Sequence, residues 1–143
     1  MLSTSLEQTK KVACDFAFKL HGGNVVFLEG DLGSGKTTFV QGVLEAFGYI
    51  QPVRSPTFSI MNIYPIDHHV SIKQIIHLDF YRFESPNEIR SLGLEEMMQN
   101  KQNVFLIEWP SRGIEQASQI RYTHRIHFQS VDAQTRELTI QEI

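Results

Sequence analysis

Disulfide chemistry, a strong charge of either sign and any long apolar run are all missing from this chain, and each absence closes off a class of protein. Its only cysteine, Cys14, leaves no intrachain disulfide to form, so the fold must rest on a packed core, and a reducing compartment is its natural setting. Cys14 lies in an amphipathic stretch, where a free cysteine ordinarily serves as a small buried apolar residue. The 13 Lys and Arg against 16 Asp and Glu give a formal charge of −3 and a pI near 6.0. Clustered cations that could neutralise a polyanion are absent, so tight autonomous binding of nucleic acid is not expected. The N-terminus, MLSTSLEQTKKVACDFAF, is interrupted by Glu7, Lys10, Lys11 and Asp15, which argues against a signal peptide or membrane anchor and for a soluble, cytoplasmic protein. Repeats, low-complexity tracts and linkers are absent too. A length of 143 residues with 41% hydrophobic content suits one globular domain spanning residues 1–143.

The apolar pattern is that of an α/β protein. Ser5 followed by Gln8 forms a capping box, and Val12, Phe16, Ala17 and Leu20 recur at helical spacing until His21-Gly22-Gly23 stops the run. Val25 to Leu28 is a continuous apolar run of the kind buried on both faces of a parallel sheet. After a glycine-rich turn, Phe39, Val40, Val43, Leu44 and Phe47 mark one face of a second helix that Gly48 ends. Runs from Phe58 to Tyr64 and from Ser71 to Phe80, flanking Pro65-Ile66-Asp67-His68-His69, predict an antiparallel hairpin with both histidines exposed at its tip, and so a mixed sheet. Ser85-Pro86-Asn87-Glu88 starts a short helix, and Val104 to Ile107 is a further buried strand. His124 to Phe128 and Arg136 to Ile143 alternate as two strands around a polar turn.

Between the first strand and the second helix stands Gly30-Asp31-Leu32-Gly33-Ser34-Gly35-Lys36-Thr37, a complete G-x-x-x-x-G-K-[ST] motif in the strand–loop–helix setting that it requires. A chance match is expected on the order of once in a few hundred chains of this length. The glycines let backbone N–H groups turn inward around β- and γ-phosphates, and the start of the helix adds positive potential. Lys36 would reach the phosphate oxygens and the Thr37 hydroxyl a Mg²⁺ ion. Such a loop needs an acid at the end of a neighbouring strand to orient the metal. Two apolar runs end in one: Ile75-Ile76-His77-Leu78-Asp79 and Val104-Phe105-Leu106-Ile107-Glu108. Trp109 reads either as a packing aromatic or as a contact of the site or of a partner. His77, alone within its strand, reads as a hydrogen-bonded interior histidine, and the sequence assigns no zinc site.

With these residues in view, the chain resembles the TsaE family (also called YjeE), ATPase components of bacterial tRNA threonylcarbamoyladenosine synthesis. Four motifs stand in the family's order: the loop from Gly30 to Phe39, Ser55-Pro56-Thr57-Phe58, His77-Leu78-Asp79-Phe80-Tyr81-Arg82 and Ile107-Glu108-Trp109-Pro110. The resemblance implies a P-loop NTPase-like three-layer sandwich with a mixed, mainly parallel sheet flanked by helices. It implies ATP on Asp31, Leu32, Gly33, Ser34, Gly35, Lys36, Thr37 and Thr38, with Thr9 near the adenine. Thr37, Asp79 and Glu108 would hold Mg²⁺, and Lys36, Asp79 and Glu108 would form the catalytic set. Thr57 lies in a nucleotide-sensing switch and, with Trp109, would couple the nucleotide to partners. Those partners are TsaD and TsaB, which would carry the tRNA, so activity is expected to be low alone and raised in their presence. Ser34 replaces the family's usual alanine without disturbing the backbone cradle, and beyond Gly113 the resemblance fades. The leading alternative is a small P-loop kinase, although no lid-sized insertion is visible. A GTP-binding switch is disfavoured because no Asn-Lys-x-Asp segment is present.

Overall fold

Ser5 caps the first helix: its Oγ accepts from Gln8 N–H at 3.2 Å, while Gln8 Oε1 reaches back to Thr4 N–H at 2.7 Å. The computed structural model describes residues 1–54, 60–81, 83–113 and 120–143, and in it this helix, α1, spans Leu6–Ala17. It ends short of Leu20. Phe18 closes it, and tighter turns from Lys19 N–H to Phe16 O and from Leu20 N–H to Ala17 O still carry Leu20 into the core. Cys14 is only half-buried, because it stands beside the apolar stripe and not on it.

Seven strands among the described residues form one sheet in the order β1-β7-β6-β2-β5-β4-β3. They are β1 (Leu2–Ser3), β2 (Val25–Gly30), β3 (Met61–Pro65), β4 (Gln74–Asp79), β5 (Asn103–Glu108), β6 (His124–Ser130) and β7 (Arg136–Glu142). The central block β6-β2-β5-β4 is parallel, and the antiparallel pairs lie towards the edges. The continuous apolar runs serve two cores at once. Val26, Leu28, Val104 and Leu106 face α1 and α2 (Lys36–Ala46), whereas Val25, Phe27, Phe105 and Ile107 face the side of α3 (Pro86–Arg90) and α4 (Leu94–Gln99). This is a layered α/β fold with helices on both faces. Helices α1 and α2 approach closely at Gly42, where a Cβ would stand 2.7 Å from Ala13 Cβ.

The hairpin differs in detail from its sequence pattern. β4 begins at Gln74, because Ser71 and Ile72 donate their N–H groups to His69 Nδ1 at 3.2 and 3.0 Å and so belong to the turn. His69 is therefore half-buried, its ring edge-on to Phe47, while His68 is exposed. Three elements had no sequence forecast, among them a 3-10 turn at Pro110–Arg112. β1 is too short to alternate, and α4 starts after Gly93 with no side-chain cap. Among the described residues, no helix is long and apolar enough to cross a membrane.

Candidate functional site

The parallel register brings the predicted residues to one end of the sheet. Asp79 of β4 is the register partner of Glu108 of β5, and Glu108 that of Leu28 in β2, just before the glycine-rich loop. Carboxyl ends of parallel strands are where α/β sheets bind ligands. Here they open into a cavity of about 380 Å³ lined by Leu32, Gly33, Gly35, Lys36, Thr37 and Thr38, by Asp79 and Glu108, and by the aromatic rings of Tyr81 and Trp109.

Gly30 and Gly35 shape the loop. Gly30 has a φ of 152° and a Cβ there would stand 2.8 Å from Ser34 Oγ and also collide with Phe128 O; Gly35 has a φ of 106°. Lys36, only 4% exposed, lies along the loop and donates to the carbonyls of Gly30 (2.6 Å) and Asp31 (2.8 Å). Burial lowers its pKa below the usual lysine value, opposed by the charges of Glu108, Asp79 and Asp31. Its ammonium sits 4.4 Å from the centroid of the Trp109 ring. Thr37 Oγ1 donates to Glu108 Oε1 at 3.0 Å, and His77 Nε2 donates to the same oxygen at 2.9 Å. His77 is the interior histidine expected, and the partner it holds is the acid at the end of the next strand. Asp79 is half-buried and its Oδ1 accepts the Tyr81 N–H at 3.0 Å.

Trp109 is half-buried, packs against the α3/α4 side of the core and lines the cavity. It takes φ 55° and ψ 49°, left-handed values uncommon for a bulky residue and most often met where the surroundings enforce them at functional sites. Thr9 does not line the cavity. It is fully buried, with its hydroxyl bonded to Ser3 Oγ (2.8 Å) and Ser5 O (3.2 Å), and Arg136 Nη1 stands 3.5 Å from it. Leu6 and Arg136, neither of which the sequence had marked, line the cavity instead. Arg136 enters through the pairing of Ser3 with Arg136 between β1 and β7, and its side chain lies against Gly35, with Cδ 3.2 Å from where a Cβ would be. No local motif signals it, since the contact depends on a strand pairing 133 residues apart in sequence, Ser3 with Arg136. Thr57, with the rest of Ser55-Pro56-Thr57-Phe58, and Arg82 lie outside the described residues.

A mixed sheet, a glycine cradle between strand and helix, and acids at the ends of the adjacent strands define a P-loop nucleotide-binding protein. The family model described as "Threonylcarbamoyl adenosine biosynthesis protein TsaE" matches residues 3–138. The chain belongs to the TsaE family. Proteins named tRNA threonylcarbamoyladenosine biosynthesis protein TsaE are similar to it in Rickettsia bellii (43% identity, covering 73% of this chain and 69% of the relative) and Bacillus subtilis (40%, covering 80% and 68%). The Haemophilus influenzae protein of that name is 37% identical over 73% of this chain, a match that spans only 63% of the relative's own length. The crystal structure of YdiB from Bacillus subtilis superposes with a TM-score of 0.76 at 29% identity, covering all of this chain and 84% of that one.

Proposed function

We propose that this protein binds Mg·ATP in the cavity and hydrolyses it as the ATPase component of bacterial tRNA threonylcarbamoyladenosine synthesis, in the cytoplasm, working with TsaD and TsaB. The observation that carries the ATPase reading is the convergence of Lys36, Thr37 and Glu108 on one cavity, with Thr37 and Glu108 in direct contact. The loop N–H groups and Lys36 would hold the β- and γ-phosphates, and Arg136 and Leu6, which line the same cavity, would stand beside the bound nucleotide. A hydroxyl and two carboxylates are hard oxygen donors, few enough for an ion that keeps several waters, so Thr37, Glu108 and Asp79 fit Mg²⁺. When bound, that ion would neutralise charge on the β/γ-phosphates. His77 keeps the Glu108 carboxylate turned towards Thr37.

Thr57 and Trp109 are proposed to couple the nucleotide to the partners, which would complete a catalytic geometry that this chain holds only in part. Partner-supplied or partner-ordered groups are worth about 10³ to 10⁵ in rate in other P-loop enzymes. The test is ATP hydrolysis by the purified protein with and without TsaB and TsaD, with inorganic phosphate and any phosphorylated small acceptor both measured. Turnover should be low alone and rise with the partners. Transfer of the γ-phosphate to an acceptor would identify a kinase instead, and absence of ATP binding would remove the reading altogether.

A further inference from the structure

Arg112 lies beyond Glu108 on a single 3-10 turn, Pro110–Arg112, and no motif includes it. Its exposed guanidinium stands 4.7 Å from the centroid of the Tyr81 ring and 5.9 Å from that of Trp109, and its Nη1 donates to Tyr81 O at 2.8 Å. The Tyr81 and Trp109 rings meet with centroids 5.0 Å apart and planes at 55°, and the Lys36 ammonium lies 4.4 Å from the Trp109 centroid. Two cations therefore bracket a pair of aromatic rings: Lys36 at the phosphate end, Arg112 at the surface. Each cation falls within the distance at which a ring attracts it.

We propose that Arg112 is a positioning residue for Lys36, acting through Tyr81 and Trp109; what Lys36 is positioned for rests on the nucleotide reading above. Arg112 clamps Tyr81 twice, by ring face and by carbonyl. Tyr81 in turn backs the indole, and the indole limits where a buried ammonium can go. The left-handed backbone of Trp109 places a demand on the contacts around the indole, which Arg112 and Tyr81 share with the core residues it packs against. A bulky side chain on such a backbone needs outside contacts to stay in place, and those Arg112 supplies link the surface turn to the P-loop lysine.

Trp109 is the only tryptophan in the chain, so its emission in the nucleotide-free protein reads the arrangement without depending on ATP. Lys36→Met and Arg112→Ala should each change the emission maximum or the quenching by acrylamide. In the double variant the changes should fall short of additive, because both act on one ring pair. Arg112→Lys, which keeps a cation over Tyr81, should recover much of the native emission, and Arg90→Ala on α3 should leave it unaltered. In turnover, Arg112→Ala should lower kcat by about two- to fivefold, the worth of one exposed cation–π contact. KM for ATP should move less, because the loop backbone still holds the phosphates. Circular dichroism confirms that each variant is folded, and Arg112→Gln, which also removes the cation, serves if Arg112→Ala is not. Native emission in folded Arg112→Ala and Arg112→Gln, or strict additivity with Lys36→Met, would overturn the proposal. If the wild-type protein fails to bind ATP, the nucleotide reading falls alone, and the emission measurements still decide whether Arg112 positions Lys36.

Discussion

At Glu108 a single carboxylate oxygen accepts from both Thr37 and His77, in a pocket where the residue is only 3% exposed. Such a group is held in one orientation, and replacing it should weaken Mg²⁺-dependent turnover more than replacing the half-buried Asp79. Magnesium titrations of ATP hydrolysis by Glu108→Ala and Asp79→Ala should show the larger rise in metal requirement for Glu108→Ala; equal effects would mean the two acids share the role evenly. His77→Phe should keep much of the ring volume but release Glu108, raising the magnesium requirement by about 10- to 100-fold, as loss of a residue that orients a metal ligand typically does. Lys36→Ala should remove most turnover while the thermal transition survives, since the lysine balances phosphate charge and is not part of the apolar core. Lys36, Thr37, Asp79 and Glu108 were legible because their chemistry demands fixed spacing or a fixed place at a strand end. Arg136, Leu6 and the tie between His77 and Glu108 were not, because each depends on which strands lie side by side.

Elements, unlike such contacts, follow local pattern, so most were readable: the capped α1, the unbroken runs of β2 and β5, the hairpin β3–β4 and the alternating runs of β6 and β7. What local pattern missed was where a turn takes over from an element, as at Ser71 and Ile72, and pieces too short to show a period, as in β1 and α4. Two glycines test the packing between elements. Gly42→Ala should gain about 1 kcal/mol in helix propensity but push α2 off α1, since its Cβ would stand 2.6 Å from Lys10 O and 2.7 Å from Ala13 Cβ. Overpacking of that kind costs roughly 1–3 kcal/mol, so a lower melting temperature is expected; a higher one would show that the helices separate freely. Gly30→Ala should both destabilise the protein and abolish nucleotide binding, because its Cβ would strike Phe128 O at the base of the cradle.

Across the whole molecule, stability should depend on pH through His124, at the end of the sheet away from the cavity. Burial, aided by Lys19 and His21 and opposed by Glu142, holds its pKa below the ordinary value near 6.5. The fold thus prefers the neutral ring, packed edge-on to Phe16 with centroids 5.3 Å apart. Above the unfolded-state pKa both states are neutral and the contribution is fully present. As pH falls through about 6.5 the unfolded chain takes up the proton first, and stability declines until the lower folded-state pKa is reached. The drop in melting temperature between about pH 7 and about pH 5.5 should be smaller in His124→Phe than in wild type; an equal drop would assign the dependence to other groups.

The strand that carries the glycine-rich loop, β2, finds its parallel neighbours in β5 and β6, at residues 103–108 and 124–130. During synthesis β2 leaves the ribosome long before either of them, and nothing adjacent in sequence can cover its edges. The nucleotide cradle therefore assembles late, once the distant strands have arrived, and an unpaired apolar strand is exposed to other chains in the meantime. Arrested nascent chains ending near Gly113 should be digested readily by protease whether or not ATP is present, whereas chains extended past β7 and clear of the exit tunnel should resist it.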